Sequence, residues 1–128
     1  MAAGDPLSSS DRLVLDKAIR RAEQQCRFEF SVFVGPTEGD TRAFAARLHQ
    51  RLVAPDRSVL VCVDPARRVT EVVTGHDVRR HLTDAEVELA VLTMQSEFRD
   101  GNLTSGLVRG IALLADHARA QNTLHARD

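Results

Sequence analysis

Val59-Leu60-Val61-Cys62-Val63 is followed by Asp64-Pro65-Ala66-Arg67, then by Val69-Thr70-Glu71-Val72-Val73 and a stop at Gly75. The first stretch is apolar without alternation. A strand of that kind belongs at the centre of a sheet, covered on both faces. Asp first and Pro second make the next four residues a type I turn. The third stretch is rich in β-branched residues, which suit a strand. The three together read as a hairpin whose first strand is central.

Upstream, Phe28, Phe30, Val32 and Val34 recur at every second position, and Gly35-Pro36 ends the run. This period of two predicts another strand. Between the two strands, Asp40 or Thr41 can cap a helix with Phe44, Ala45, Leu48 and Leu52 on its inner side, stopped by Pro55. Strands joined through a helix run parallel, with a right-handed crossover. Further upstream, Ser10 and Asp11 suit a helix start. Leu15, Ala18, Ile19, Ala22 and Cys26 then form one helical stripe.

Downstream, Gly75 to Leu82 is polar and irregular. Thr83-x-x-Glu86 is a capping box. Val87, Ala90, Val91, Met94 and Phe98 mark an amphipathic helix, and Asp100-Gly101-Asn102 breaks it. A last helix carries Leu107, Ile111, Leu114 and Ala118. Gly106 and Gly110, four apart, would let it pack closely. The predicted fold is α/β, in the order α-β-α-β-β-α-α. A small mixed sheet of three to four strands, hairpin included, is sandwiched between helices. One domain spans residues 10–120, with a flexible leader at 1–9 and a frayed tail at 121–128.

The chain has 128 residues, the size of one domain, and 43% of them are apolar, enough for one core. Lys and Arg number 17 against 18 Asp and Glu, a net charge of −1, so nothing draws the chain to nucleic acid. With no Trp or Tyr, base-stacking platforms are unsupported too. Cys26 and Cys62 have no zinc spacing and apolar neighbours, which reads as two buried thiols in a reducing compartment. Met1 to Ser10 holds no apolar signal core, and no window is long enough to span a membrane. A cytoplasmic protein is expected.

No Walker, GxGxxG, GxSxG or HExxH motif occurs. The candidate site is instead built from scattered groups. Asp64 ends the central strand, and ligands in open α/β sheets bind beyond that edge. Glu38 and Asp40, in the loop after the first strand, open on the same edge. With Asp77 they could offer hard oxygen ligands to Ca2+ or Mg2+. His76, Asp77 and His81 could bind a metal or shuttle a proton. Arg67, Arg68, Arg79 and Arg80 flank the hairpin and, with His76, could meet an anion or an acidic partner.

The ordered set of Leu15 to Val34, the hairpin Val59 to Gly75, and Leu82-Thr83-Asp84 resembles the TPM domain. Phe98-Arg99-Asp100-Gly101-Asn102-Leu103-Thr104-Ser105-Gly106-Leu107 is similar to that family's F-x-x-G-x-Y-x-x-G-L element. Val72 to Gly75, Ala90 to Met94 and Leu113 to Asp116 are similar to an actinobacterial branch of unknown function. The resemblance covers about residues 8–120. It implies an α/β/α sandwich, with calcium binding and acid phosphatase activity in some members. Others look like accessory factors for membrane protein complexes. Asp64 matches the family's acidic position after the central strand, and Gly75 the first glycine of its G-Y-G-L-E loop. His76, Asp77 and Arg79 depart from that loop.

Two functions compete on this reading, beside a third, small-ligand binding at the carboxyl edge of the sheet. One is a non-catalytic, TPM-like interaction or regulatory domain whose partner is another protein. The other is a Ca2+- or Mg2+-dependent, phosphatase-like hydrolase acting at the carboxyl edge of the sheet. Whether the chain is an enzyme stays open at this point.

Overall fold

A computed structural model describes residues 7–127, with side chains from Leu7 to Arg119. The elements are α1 (Ser9–Cys26), β1 (Glu29–Val34), α2 (Thr41–Gln50), β2 (Ser58–Asp64), β3 (Val69–Thr74), α3 (His76–Arg79), α4 (Asp84–Arg99) and α5 (Leu103–Arg127). A 3-10 turn, Pro55–Arg57, leads into β2. Residues 1–6 of the expected leader, and Asp128, lie outside the described residues. Helix α1 starts earlier than Ser10 because Ser8 and Asp11 form a capping box, each side chain taking the other's backbone N–H. The backbone of α5 runs on through the expected tail to Arg127.

Three strands form one sheet in the order β1-β2-β3. β1 is parallel to β2, with Val34 opposite Val63, and β3 is antiparallel to β2, with Asp64 opposite Val69. The mixed sheet read from the sequence is therefore present, with β2 at its centre.

The continuous apolar run of β2 is buried at every position. Val59, Val61 and Val63 pack into the larger core, together with Phe30, Val72 and the inner faces of α1, α4 and α5. Leu60 and Cys62 point the other way, into a smaller core with Ala45, Val73, Phe33, Phe44 and Leu48. Neither face of β2 sees water, which explains its lack of polar alternation.

The two helical glycines act as expected. A methyl on Gly110 would lie 2.3 Å from the Met94 sulfur, and one on Gly106 would lie 2.6 Å from the Phe98 ring. Both glycines bring α5 against α4. The segment after Gly75 differs from its irregular reading. It folds as one turn of helix, α3, which drives Val78 and Leu82 into the core one turn apart. Both cysteines are buried and neither forms a disulfide, and burial, aided by Glu71 and Asp64, pushes the Cys62 thiol up to about 11.

Candidate functional site

The register at the end of β1 builds the site. Val34 pairs with Val63, and the Gly35 N–H donates to the Val63 carbonyl at 3.0 Å. The β1–α2 loop therefore passes beside Asp64, the last residue of β2. Loop and hairpin share one edge of the sheet, as the parallel arrangement predicts.

The residue that meets Asp64 is Thr37. Its N–H and its Oγ1–H both donate to Asp64 Oδ2, at 2.8 and 2.7 Å. The Arg67 N–H donates to Asp64 Oδ1 at 3.2 Å, closing the turn. The Arg67 guanidinium reaches back to Thr37 Oγ1 at 3.0 Å and to the Gly39 carbonyl at 2.9 Å. Asp64 is only 2% exposed. The two bonds from Thr37, then the backbone of Arg67 and its charge, hold the Asp64 carboxyl below the ordinary aspartate value. Both oxygens of this buried carboxylate are thus occupied, and it ties one loop to one turn.

The other carboxylates lie elsewhere. Asp40 caps α2, accepting from the Arg42 N–H at 3.0 Å. Glu38 is exposed in the loop. Asp77 stands in α3, 3.4 Å from His76 Nδ1. Among the described residues, no three His, Cys, Asp or Glu side chains gather closely enough to hold a metal ion. The set Asp64, Glu38, Asp40 and Asp77, expected to offer ligands to Ca2+ or Mg2+, is not assembled. The reason is local: each acid with a structural partner is engaged by its own cap, turn or neighbour.

The arginines divide in the same way. Arg67 is bonded to the β1–α2 loop, as described. Arg79 donates to the Thr74 carbonyl. Arg68 and Arg80 are exposed. Arg68 adopts a left-handed backbone, φ +58°, in the β2–β3 turn. His76 is exposed, and the His81 ring packs 5.6 Å from that of Phe28. Thr37 escaped the sequence reading because a threonine in a loop has no distinctive spacing. The signal that could have found it is the register, which sends the loop after Val34 past the residue after Val63.

A cavity of about 680 Å3 opens on this same edge, on the α4 side of the sheet. Asp64 and Arg68 stand on one wall, Gln95, Phe98 and Arg99 on the other. A second, smaller groove of about 220 Å3 lies between α1 and β1, lined by Leu7, Leu15, Ile19, Val32 and Val34 with Arg12 and Asp16.

A family profile, described as a domain of unknown function and called DUF5130, matches residues 1–115. The chain belongs to the DUF5130 family. This corrects the resemblance to the TPM domain. The physical basis of the misleading likeness is visible in the packing. Phe98 and Gly106, which carried it, meet because α4 and α5 approach closely. That spacing reports helix contact, not membership or chemistry.

The DUF5130 chain is 31% identical over 110 residues to two uncharacterized proteins of Mycobacterium tuberculosis, one from strain CDC 1551 / Oshkosh and one from strain H37Rv. Each alignment covers 86% of this chain, and this chain spans 66% of each relative's length. Among solved structures, the NMR structure of the BA42 protein from the psychrophilic bacterium Bizionia argentinensis has a TM-score of 0.80. It is 21% identical, over 90% of this chain and 83% of that one. The N-terminal domain of a P. gingivalis protein has a TM-score of 0.75, also at 21% identity, over 87% of this chain and 75% of that one. At that identity the likeness is one of fold.

Among the described residues, no helix is long and apolar enough to cross a membrane.

Proposed function

We propose that this DUF5130 domain is a non-catalytic interaction module that binds a protein partner at the outer edge of β1. The observation that carries the reading is the outer edge of that strand, which no other strand pairs with among the described residues. Residues alternate in their N–H direction along β1. Gly35 donates inward to β2, whereas Phe30 donates outward, to the Glu23 carboxylate of α1 at 2.9 Å. Val32 and Val34 share the outward register of Phe30. Neither makes an outward backbone bond among the described residues. An extended segment could pair with them and lay an apolar side chain in the groove between α1 and β1. Free edges of this kind are otherwise liabilities that proteins block.

The occupied state of Asp64 supports the same reading from the other side. Asp64 accepts three hydrogen bonds from Thr37 and Arg67, the pattern of a carboxylate that ties a loop to a turn. The hydrolase alternative draws no support from the placement of Glu38, Asp40 and Asp77. A cytoplasmic setting fits two buried cysteines that form no disulfide.

Affinity capture from host extract tests the proposal, comparing wild type with Val34→Lys, which places a charge in the groove. Arg80→Glu, on the exposed surface just after α3, is the control. A partner retained by the control and lost by Val34→Lys, with the variant's amide NMR spectrum still folded, is the expected result. Equal capture by both variants would remove the β1 edge from the reading. No specific partner for any form would overturn the interaction function itself.

A further inference from the structure

The larger cavity is independent of the β1 edge. It lies between the β2–β3 turn and the α4–α5 turn, at the end of the sheet where α/β proteins place ligands. Its volume, about 680 Å3, falls within the range of small-molecule sites, on the order of 300–1,000 Å3.

The chemistry of its walls is specific. Several arginines are engaged by the body of the domain. Arg42 donates to the Val72 carbonyl, Arg57 to the Arg27 carbonyl, Arg67 to Thr37 and Gly39, and Arg109 to Glu97. Arg68 and Arg99 both line the cavity, and among the described residues neither guanidinium makes a hydrogen bond or ion pair. They approach from opposite walls, one from the hairpin turn and one from the last residue of α4. The negative charge that also lines the cavity is Asp64, whose oxygens are already bonded to Thr37 and Arg67. Glu97, two residues before Arg99, is held by Arg109, Ser105 and Asn102. Neither acid neutralises the two free guanidinium groups. Val69, Phe98 and Leu103 add apolar surface beside them. A planar guanidinium matches the geometry of a carboxylate or phosphate.

We infer that this cavity binds a small organic anion, with its charged head on Arg68 and Arg99 and its apolar body against Val69, Phe98 and Leu103. The head is a carboxylate or a phosphate, and the two guanidinium groups recognise the negative charge that both share.

Titration of the full chain, followed by amide NMR, tests this with three probes: phenylacetate, phenyl phosphate and the neutral 2-phenylethanol. Shifts at Thr70, Gly101 and Leu103 that saturate with either anion are expected. The neutral probe should bind about tenfold or more weakly, the usual loss of a charge-assisted contact. Whichever anion binds more tightly identifies the head group. The double variant Arg68→Gln and Arg99→Gln changes two exposed side chains, leaves the core intact, and should weaken the anion by a similar factor. Equal binding of the neutral probe would overturn the inference. So would full retention by the double variant, or unmoved amides up to about 10 mM of both anions, a concentration beyond any useful site.

Discussion

The two ends of β2 are both closed by buried polar groups, but by different physics. At the start of the strand every acceptor is a neutral backbone carbonyl. The Ser58 carbonyl accepts the Gly75 N–H at 3.0 Å and lies 3.0 Å from His49 Nε2, while Ser58 Oγ donates to the Ala54 carbonyl at 2.6 Å. The fit there is steric. A methyl on Gly75 would lie 2.0 Å from the Pro55 carbonyl oxygen and 2.4 Å from that of Asp56. At the far end an ionised carboxylate, Asp64, gathers Thr37 and Arg67. The contrast teaches what each end is free to do. The neutral end seals the sheet by contact. The charged end holds two loops with directed bonds and leaves a cavity beside them.

The steepest test of the contrast is Gly75→Ala. The backbone φ of Gly75, −73°, is open to alanine, so the cost comes from space alone. Forcing the Pro55–Arg57 turn away from β3 should cost about 3 kcal/mol. Urea unfolding should show a lower midpoint with an unchanged slope. A midpoint equal to wild type would break the claim that contact seals this end.

Thr37→Val comes next. It keeps the volume and the backbone N–H but removes the hydroxyl bond to the carboxylate. A loss of about 2 kcal/mol at neutral pH is expected for a bond to a charged acceptor. Here pH matters. Asp64 titrates below its ordinary 3.8 in the folded state, so its contribution is complete above that value. It is lost as pH falls through the lower folded value. Once the carboxyl is protonated, the hydroxyl bond is worth less. The gap between wild type and Thr37→Val should therefore narrow below about pH 4. A gap that stays constant across the acid range would mean that the carboxylate charge is not what holds the loop.

His49→Phe should cost least, about 1 kcal/mol. The Ser58 carbonyl keeps its bond from Gly75 when the imidazole is gone. A thermal or urea midpoint far below that of Thr37→Val would invert the ranking and make the neutral end the more bond-dependent of the two.

Much of the fold was legible because its determinants are local. The stripe Leu15, Ala22 and Cys26, the box of Thr83 and Glu86, and the pair Gly106 and Gly110 each sit within a few residues, at spacings set by helix geometry. The buried run Val59 to Val63 announced a strand covered on both faces, and two cores lie on its two sides. Local pattern was weaker at α3, where Val78 and Leu82 are two apolar residues in a polar segment. Core contact, not propensity, makes that turn helical.

Asp64 marks the limit of such reading. The sequence by itself determined that an aspartate would end the central strand and open a turn, since Asp-Pro encodes that locally. Only the tertiary structure decided that its oxygens would be taken by Thr37, 27 residues earlier, and that Glu38 and Asp40 would stand apart. It also decided that Arg68 and Arg99, on two distant segments, would face one cavity. Periodicity reports which face of an element is buried. Which side chains meet across elements depends on strand register and helix approach, and those are set by packing of the whole chain.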